Sequence, residues 1–242
     1  MRIISRLDIK NEYVIKGINL EGLRKIGSPI EISKKYYDDG IDEIIYIDSV
    51  ASLYRRNSLL SLISKLSENV FVPLTVGGGI RSLFDIENAL KSGADKVAIN
   101  SYATENPKFI FEASKNFGSS TIITYIETRY NEENSEWEVF KYAGREKTSI
   151  RLIDWIQIVQ ERGSGEILLT SIDSEGTMKG FDYGLLKKIK KYIKIPIIIS
   201  GGFGSIDDVK KIKNSFNNFS IAIASALHYK KITIKEIKNY ID

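Results

Sequence analysis

Short apolar runs alternate with longer amphipathic segments along the whole chain. Each apolar run spans about five to seven residues and is rich in isoleucine and valine, as expected for strands that are buried on both faces. The predicted strands are Ile3–Ile9, Glu43–Asp48, Val72–Val76, Lys96–Asn100, Thr121–Glu127, Glu166–Ile172, Ile195–Ser200 and Ser220–Ser225.

The segments between these runs have helical spacing, with apolar residues gathered on one face. Ser82 and Ser205 lie at the start of two of them, where an N-cap serine is expected. The predicted helices are Pro29–Asp39, Ser58–Glu68, Ser82–Ser92, Pro107–Phe117, Ser149–Arg162, Tyr183–Tyr192, Ile206–Asn214 and Ile234–Tyr240.

The eight strand–helix units follow one another without a break in composition. This pattern predicts an α/β protein, a single (β/α)8 TIM barrel that covers residues 1–242. An open, doubly wound sheet is the alternative, but such a sheet would not need eight evenly spaced units.

The second half of the chain repeats the first. Four strand ends have counterparts that lie 119, 125, 123 and 124 positions further on. A nearly constant offset indicates two half-barrels, about residues 1–118 and 119–242, related by a near two-fold axis along the barrel. The matched segments are Arg2–Asp8 with Thr121–Glu127, Tyr46–Ser49 with Ser171–Ser174, Pro73–Ile80 with Pro196–Phe203, and Val97–Ser101 with Ala222–Ser225.

Composition narrows the possible chemistry. The 242 residues include no cysteine and one histidine, which excludes disulfides and thiolate catalysis, and we expect no metal and no cofactor. The formal net charge is +4 and the lysines are spread along the chain, which favours solvated helix faces over a nucleic-acid surface. The N-terminus carries charges too early for a signal peptide, and no apolar run approaches the ~20 residues of a membrane helix. We therefore expect a cytoplasmic protein that binds neither nucleic acid nor membrane.

Two glycine-rich turns stand at matched positions, after the third and the seventh predicted strand. In a (β/α)8 barrel the ligand site lies at the carboxyl ends of the strands, and glycines there let backbone amides approach an anion. Two such turns on opposite sides of one mouth predict a long ligand with a phosphate at each end, although glycines can also serve only to make tight turns. The residues expected to hold the phosphates are Gly78, Gly79, Asn100 and Ser101 at one end, and Gly201, Gly202, Ala224 and Ser225 at the other.

Two carboxylates, Asp8 and Glu127, end the first and the fifth predicted strand and should face each other between the phosphate turns. Opposed carboxylates suit general acid–base catalysis, in which one gives a proton and the other takes one. The alternative is that they only hydrogen-bond loop amides. Lys16 lies in the segment Asn11–Gly27, predicted to be mobile, where it could cover an anion or simply be solvated.

Three further polar residues near the mouth are expected to stabilise the rim of the barrel rather than to take part in catalysis. Asp48 and Asp173 follow the second and the sixth strand, where an aspartate more often braces the rim than reacts. His228 lies past the last strand and is expected to pack against the rim.

Four charged residues stand immediately before strands, at the opposite end of the barrel. Two cations and two anions there could form a ring of salt bridges, although charges at strand starts are often only solvated. They are Arg2, Glu43, Lys96 and Glu166. Inside the barrel, Arg6 lies two positions before Asp8 and should point inward with it. A buried arginine needs a carboxylate, and Asp8 or Glu127 is the nearest candidate.

Several segments together resemble the cyclase subunit of imidazole glycerol phosphate synthase, and the resemblance covers nearly the whole chain. They are Leu7–Lys10, Val14–Gly17, Gly40–Glu43, Thr75–Ile80, Gly93–Val97, Arg162–Gly163, Gly165–Asp173 and Gly201–Gly202. The resemblance implies a heterodimer with a glutaminase subunit, which supplies ammonia, and a substrate that is a ribulosyl aminoimidazole nucleotide with two phosphates. The implied products, in histidine biosynthesis, are imidazole glycerol phosphate and an aminoimidazole carboxamide ribonucleotide.

The resemblance also implies roles for single residues. Asp8 matches the catalytic aspartate of the first strand, and Lys16 matches a loop lysine that touches the substrate. Asp173 and Gly176 join Lys16 and the two phosphate turns in the implied substrate-binding set. The four charges at the bottom of the barrel match the gate through which ammonia enters, and Asp95 would lie on the surface that faces the glutaminase.

The chain departs from the family pattern around the reacting centre. The second catalytic aspartate is Glu127 here, and displacing a catalytic group by ~1 Å can cost on the order of 10²-fold in rate. Arg6 replaces a small neutral residue, Tyr125 adds bulk inside the fifth strand, and Glu175 replaces the aspartate of an Asp-Gly-Thr segment. Before the last strand, Asn217–Ser220 replaces Gly-Ala-Asp-Ala.

Two functions therefore stay open. The first is the cyclase of histidine biosynthesis, with Asp8 and Glu127 as acid and base. The second is a divergent second-copy paralogue that delivers ammonia to an amidotransferase making acetamidino sugars for surface polysaccharide. The family resemblance favours the cyclase, whereas the departures at Arg6 and Glu127 make the second function a serious rival, and the intact bottom charges fit both.

Overall fold

In the computed structural model, which describes residues 1–51, 60–213, 216 and 218–241, the strands form one continuous sheet. The strands in the described part are β1 (Ile3–Lys10), β2 (Tyr13–Ile18), β3 (Glu21–Gly27), β4 (Glu43–Asp48), β5 (Leu74–Gly77), β6 (Lys96–Ile99), β7 (Ile122–Asn131), β8 (Glu136–Lys141), β9 (Glu146–Arg151), β10 (Glu166–Ser171), β11 (Ile197–Ser200) and β12 (Phe219–Ile223).

Helices follow the strands in the alternating order expected from the sequence. The α-helices in the described part are α1 (Pro29–Asp38), α2 (Leu60–Ser67), α3 (Leu83–Lys91), α4 (Ser101–Glu105), α5 (Lys108–Phe117), α6 (Leu152–Glu161), α7 (Tyr183–Ile189), α8 (Ile206–Lys213), α9 (Ser225–His228) and α10 (Ile234–Ile241). None of the helices in these ranges is long and apolar enough to cross a membrane.

Eight parallel strands close into a barrel. Their order is β1, β4, β5, β6, β7, β10, β11 and β12, and the pairing of β12 with β1 completes the ring. In these pairs Asp8 lies opposite Ile47, and Leu168 lies opposite Tyr125. The barrel strands are buried on both faces because helices cover the outside and side chains fill the lumen. The predicted (β/α)8 barrel is confirmed.

The core has two layers, one between strands and helices and one inside the barrel. The outer layer is built around large buried side chains such as Trp155, Ile63 and Leu66. The lumen is filled by Ile4, Ile45, Ile47, Ala98, Ile123, Tyr125, Leu168, Ile198 and Ala222. Because the lumen is packed, the polar chemistry of the barrel is confined to its two ends.

The predicted elements are present, with shifted ends. The third predicted strand begins at Leu74 instead of Val72, and the fifth continues to Asn131, four residues beyond Glu127. Ser82 caps α3 by accepting a hydrogen bond from the Asp85 amide at 3.1 Å. Residues 58, 59 and 214, where two predicted helices begin or end, lie outside the described residues. Helices α4 and α9 were not predicted, because four or five residues give no helical periodicity.

Two antiparallel excursions extend the barrel at its carboxyl end, and neither was predicted as strand. The pair β2–β3 covers most of the segment Asn11–Gly27, so that segment is a hairpin rather than an irregular loop. The pair β8–β9 extends β7 in the same way. Both pairs follow the first strand of a predicted half-barrel, which agrees with the internal repeat.

Strand register corrects one pairing of the repeat. Ile47 lies beside Gly77 in the first half, and Thr170 lies beside Ser200 in the second, so the offset there is 123 rather than 125. The counterpart of Asp48 is therefore Ser171, the last residue of β10, and Asp173 lies two residues beyond the strand end. The sequence match was misleading because Ile-Asp-Ser occurs in both turns, whereas only backbone pairing fixes the strand end.

Candidate active site

The two glycine turns have the same backbone geometry at matched strand ends. Gly78 has φ +101° and Gly201 has φ +94°, a region that L side chains rarely adopt. A Cβ on Gly78 would lie 2.5 Å from the Asp48 carbonyl oxygen, and one on Gly201 would lie 2.7 Å from that of Ser171. Glycine is required at both positions because the turn folds directly against the end of the neighbouring strand.

The strand ends beside these turns also match. Asn100 (φ −119°, ψ −92°) and Ala224 (φ −123°, ψ −82°) share an unusual backbone conformation and precede the short helices α4 and α9. Ser101 and Ser225 begin these helices and are buried. The fold thus brings together each of the two predicted sets of phosphate-binding residues.

The two halves of the mouth differ in the space they leave. A cavity of about 310 Å³ opens beside the Gly78 turn, whereas the cavity beside the Gly201 turn measures about 10 Å³. The larger cavity is lined by polar side chains, among them Asn100, Tyr102, Tyr125 and Glu127. The smaller one is lined by Glu175, Gly176, Ser200, Gly201, Gly202, Ala224 and Ser225, together with apolar side chains.

Arg6 crosses the centre of the barrel and is almost fully buried, as the alternation of β1 predicts. Its Nε donates to Asp8 Oδ1 at 2.9 Å, which confirms one of the two partners proposed from the sequence. Its Nη1 donates to Thr170 Oγ1 at 2.8 Å, and its Nη2 donates to the Tyr125 hydroxyl at 2.8 Å. The guanidinium thereby ties β1 to β7 and β10 across the mouth.

Lys16 is buried rather than solvated. It stands on β2 with 2% of its surface exposed, and its Nζ donates to Asp8 Oδ2 at 2.9 Å and also to the carboxylate of Glu175. The β2–β3 hairpin is also held against Glu175 by Asn19, whose backbone N–H donates to the Glu175 carbonyl oxygen at 2.7 Å. Lys16 therefore lies inside the mouth because β2 pairs directly with β1.

Asp8 is fully engaged by cations. Burial alone would raise its pKa, but the charges of Arg6 and Lys16 outweigh burial and hold the pKa of Asp8 well below its usual range. One carboxylate oxygen accepts from Arg6 and the other accepts from Lys16. Asp8 is therefore ionised at neutral pH.

Glu127 has the opposite electrostatic character. Burial raises its pKa, and hydrogen bonds from Tyr125, Asn100 and Gly144 offset that effect only in part. The Tyr125 hydroxyl donates to Oε1 at 2.8 Å, and Asn100 Nδ2 donates to Oε2 at 2.9 Å. Asp8 and Glu127 are thus joined through Arg6 and Tyr125, with their pKa values pushed apart.

The three remaining residues predicted at the mouth lie at different positions around it. Asp173 is exposed, lies 3.3 Å from Arg129 and accepts from the Tyr130 amide at 2.9 Å, so it braces the rim outside both cavities. Asp48 lines the larger cavity, and its Oδ1 accepts from the Val50 amide at 3.0 Å. Gly176 packs under the β2 hairpin as well as lining the smaller cavity.

His228 and one further turn complete the site. The His228 ring stacks on Tyr36, with Nδ1 2.8 Å from the Tyr36 hydroxyl, which supports the packing role expected from the sequence. The turn between β8 and β9 was missed by the sequence analysis, although it brings the Gly144 amide to Glu127 at 3.0 Å and the Tyr142 amide to Ser101. The Ala143-Gly144 pair was the only signal for it.

At the opposite end of the barrel the four predicted charges form a ring. Arg2 contacts Glu43 at 2.6 Å and also contacts Glu166, while Lys96 lies 3.1 Å from Glu43 and 3.4 Å from Glu166. Both glutamates are buried. The expected salt-bridge ring is therefore present in the described structure, and it closes the lumen below the apolar layer.

The closed parallel barrel and the polar mouth at the carboxyl ends of its strands define the class of this protein, a (β/α)8 barrel of the kind that usually carries an active site there. Comparison with known proteins identifies the family within this class. The chain belongs to the histidine biosynthesis protein family, whose model matches residues 2–233.

Curated relatives agree with this assignment. An imidazole glycerol phosphate synthase subunit HisF from Legionella pneumophila is 50% identical over 208 residues, covering 86% of this chain and 98% of the relative. The subunit of the same name from Prochlorococcus marinus (strain MIT 9515) is 42% identical over 242 residues, covering 100% of this chain and 94% of the relative. That from Lactococcus lactis subsp. cremoris (strain SK11) is 44% identical over 237 residues, covering 98% and 92%.

Proposed function

We propose that this chain is the cyclase subunit of an imidazole glycerol phosphate synthase in histidine biosynthesis. In this role it combines ammonia with a ribulosyl aminoimidazole nucleotide that carries two phosphates. The products are imidazole glycerol phosphate and an aminoimidazole carboxamide ribonucleotide. The observation that carries the proposal is the matched pair of glycine turns with Asp8 and Glu127 placed between them.

The electrostatics of the two carboxylates support an acid–base role. The raised pKa of Glu127 suits a group that gives a proton, and the lowered pKa of Asp8 suits a group that stays ionised. Asp8 then stabilises positive charge on the substrate nitrogen or accepts a proton after Arg6 and Lys16 rearrange. Glycine turns 78–79 and 201–202 hold the two phosphates in this assignment.

The bottom ring supports a glutaminase partner. A subunit docked on that end would release ammonia next to Arg2, Glu43, Lys96 and Glu166. Asp95 lies at the same end, immediately before β6, where its carboxylate accepts from the amide of Leu74, the first residue of β5, at 2.8 Å. We assign the ring as the ammonia entrance and the complex as a heterodimer.

A second candidate function is supported by the cluster at the mouth. Both oxygens of Asp8 are held by cations, and Glu175 lies against the Gly201 turn. This arrangement opposes binding of a bisphosphate nucleotide and supports a paralogue that receives ammonia but serves another acceptor, such as an acetamido sugar.

Turnover of the ribulosyl aminoimidazole nucleotide at saturating ammonium, by the purified chain, separates the two functions. The cyclase assignment predicts turnover that falls by about 10²–10⁴-fold in Asp8→Asn and in Glu127→Gln. Asp154→Asn, an exposed carboxylate on α6, is the matched control and should leave the rate unchanged. A folded wild-type chain with no turnover would reject the cyclase assignment and leave the second function.

A further inference from the structure

Tyr125 joins two buried charged side chains across the mouth. It lies on β7 two positions before Glu127, so both side chains point into the barrel from the same face of the strand. Its hydroxyl donates to Glu127 Oε1 at 2.8 Å and accepts from Arg6 Nη2 at 2.8 Å. Tyr125, Glu127 and Arg6 are 3%, 2% and 1% exposed. The tyrosine therefore lies where it can control the position of the carboxylate.

The chemistry of Arg6 fixes the direction of these hydrogen bonds. A guanidinium can only donate, so the Tyr125 oxygen accepts from Arg6, and its one hydroxyl hydrogen is left for Glu127. Burial raises the pKa of Tyr125 well above its ordinary value, so the phenol keeps this hydrogen. Tyr125 can thus hold the carboxylate of Glu127, but it does not itself exchange a proton at neutral pH.

The donors around Glu127 leave one position on its carboxylate free. A carboxylate has about four lone-pair positions, two on each oxygen. Oε2 accepts from Asn100 Nδ2 at 2.9 Å and from the Gly144 amide at 3.0 Å, whereas Oε1 accepts only from Tyr125 among the described residues. The free position is therefore on Oε1, and Glu127 lines the cavity of about 310 Å³ that is open to a ligand.

Three departures from the family pattern meet in this one contact, at Arg6, Tyr125 and Glu127. Glu127 is one methylene longer than the aspartate it replaces, and displacing a catalytic group by ~1 Å can cost on the order of 10²-fold in rate. Tyr125 holds the longer side chain at its carboxylate. Arg6 in turn is anchored by its Nε, which donates to Asp8 Oδ1 at 2.9 Å. The three departures therefore form one linked set.

We propose that Tyr125, held in place by Arg6, is a positioning residue for Glu127, which it fixes so that Oε1 is the oxygen that gives a proton to the substrate. In that step the O–H bond of the glutamic acid breaks, the proton passes to the substrate, and the carboxylate left behind keeps the hydrogen bond from Tyr125. The inference rests on the proton-donating role proposed above for Glu127.

Other charged and titratable groups surround the same carboxylate, so a test has to change the tyrosine hydroxyl without changing any charge. Tyr125→Phe meets this requirement. The surrounding groups are Arg6 and Asp8 on β1, Lys16 on β2, Asp48 on β4, Arg81 before α3, Tyr102 and Glu105 on α4, Tyr142 between β8 and β9, and Glu175 after β10.

Carboxyl ¹³C NMR of glutamate-labelled protein follows Glu127 without any turnover, and the signal of Glu127 is the one that Glu127→Gln lacks. Tyr125→Phe removes a donor that favours the ionised carboxylate. The titration midpoint of Glu127 should therefore rise by about one pH unit, the size of one hydrogen bond to a charged group.

Tyr46→Phe is the matched control. Tyr46 is also a buried tyrosine of a barrel strand, and its hydroxyl donates to Ser33 Oγ at 2.6 Å, but it lines neither cavity of the mouth. Its loss should leave the midpoint of Glu127 unchanged. Circular dichroism of each variant shows whether it is folded.

Turnover with saturating ammonium gives a second readout. Tyr125→Phe should lower kcat by about tenfold with KM unchanged within about twofold, and the alkaline limb of the pH profile should move upward, because the reaction needs protonated Glu127. In Glu127→Asp the shorter side chain no longer reaches the hydroxyl. Adding Tyr125→Phe to that variant should therefore change kcat by less than about twofold.

Different results contradict different claims. An unchanged Glu127 midpoint in folded Tyr125→Phe, or equal effects of Tyr125→Phe with glutamate and with aspartate at position 127, would overturn the positioning role. If Tyr125→Phe does not fold, wild type labelled with ¹³C at the tyrosine ζ carbon decides, because one tyrosine signal should move with the Glu127 midpoint. Absence of such a signal would also overturn the role. A wild-type chain without turnover that shows the expected NMR shifts would instead contradict the function proposed above.

Discussion

At the scale of residues, the mouth is a set of ionisable groups that depend on one another for charge. Arg6, Lys16 and Asp8 are each buried, and the charge of each is balanced by its partners. Burial of a single charge is costly, and a satisfied network offsets that cost only while all members are present. Single substitutions here therefore have larger effects than substitutions of surface ion pairs.

Arg6→Leu should lower the free energy of unfolding by about 3 kcal/mol, because Asp8 Oδ1 and the Tyr125 hydroxyl lose the buried donor that Arg6 provides, and Asp8 keeps only Lys16 as a cationic partner. Tyr125→Phe, which removes one link of the same chain, should cost about 1 kcal/mol. Urea unfolding at pH 7 measures both. An Arg6→Leu protein as stable as wild type would mean that burying this network costs as much as it contributes.

His228 is the single histidine in the sequence, so its titration can be followed without overlap. Burial, followed by the charge of Lys16, lowers its pKa from 6.5 to about 4. The imidazole signal in ¹H NMR should therefore titrate near pH 4. Because the unfolded chain binds the proton more tightly, stability should fall as the pH drops from 6.5 towards 4. A midpoint near 6.5 would show that the ring is solvated.

At the scale of elements, the strand ends determine the site more than the strands do. The glycine turns fold back on the neighbouring strand, and the hairpins β2–β3 and β8–β9 add groups above the mouth. Lys16 comes from the first hairpin, and the Gly144 amide comes from the turn of the second. The glycine turns are visible in the sequence because no other residue fits, whereas the hairpins alternate polar and apolar residues too irregularly to be recognised.

Gly78→Ala should lower the free energy of unfolding by about 3 kcal/mol, because the new Cβ meets the Asp48 carbonyl oxygen at 2.5 Å as well as requiring a positive φ. Gly22→Ala is the matched control, since Gly22 also has a positive φ, +61°, but has no neighbouring atom within 4 Å of the new Cβ. It should cost about 1 kcal/mol. If thermal unfolding gave the same loss of stability for Gly78→Ala and Gly22→Ala, the contact between the new Cβ and Asp48 would not contribute to the cost at Gly78.

At the scale of the whole molecule, the barrel separates two polar ends by an apolar layer. The bottom ring closes one end. The buried ion pairs of Arg6, Asp8, Lys16 and Glu175 span the other end. The lumen between them is filled with apolar side chains and Tyr125. Any small neutral molecule that enters through the ring must pass this layer before it reaches Glu127.

Lys96→Met tests the entrance in the assembled complex with a glutaminase. It should reduce glutamine-dependent activity by about tenfold or more, while activity with added ammonium stays within a factor of about two. Lys238→Met is the matched control, because Lys238 pairs with Asp42 at 2.6 Å outside the ring. If both variants keep full glutamine-dependent activity, the ring is not the entrance.

The sequence by itself determined the barrel, the positions of the glycine turns, the inward direction of Arg6 and the four charges of the bottom ring. These features depend on local rules, namely strand alternation, apolar periodicity and the backbone freedom of glycine, which operate within a few residues. The predicted offsets agree with the strand register at Asp8 with Glu127 and at Gly77 with Ser200, but not at Asp48.

Tertiary structure alone decided the rest. Only pairing across the sheet showed that Asp48 corresponds to Ser171 and left Asp173 on the rim. Only packing of β2 against β1 buried Lys16 between Asp8 and Glu175, residues 8 and 159 positions away. The physical reason is that charge state and free volume depend on neighbours distant in sequence. The two glycine turns, alike in sequence, thus lie beside cavities of very different size.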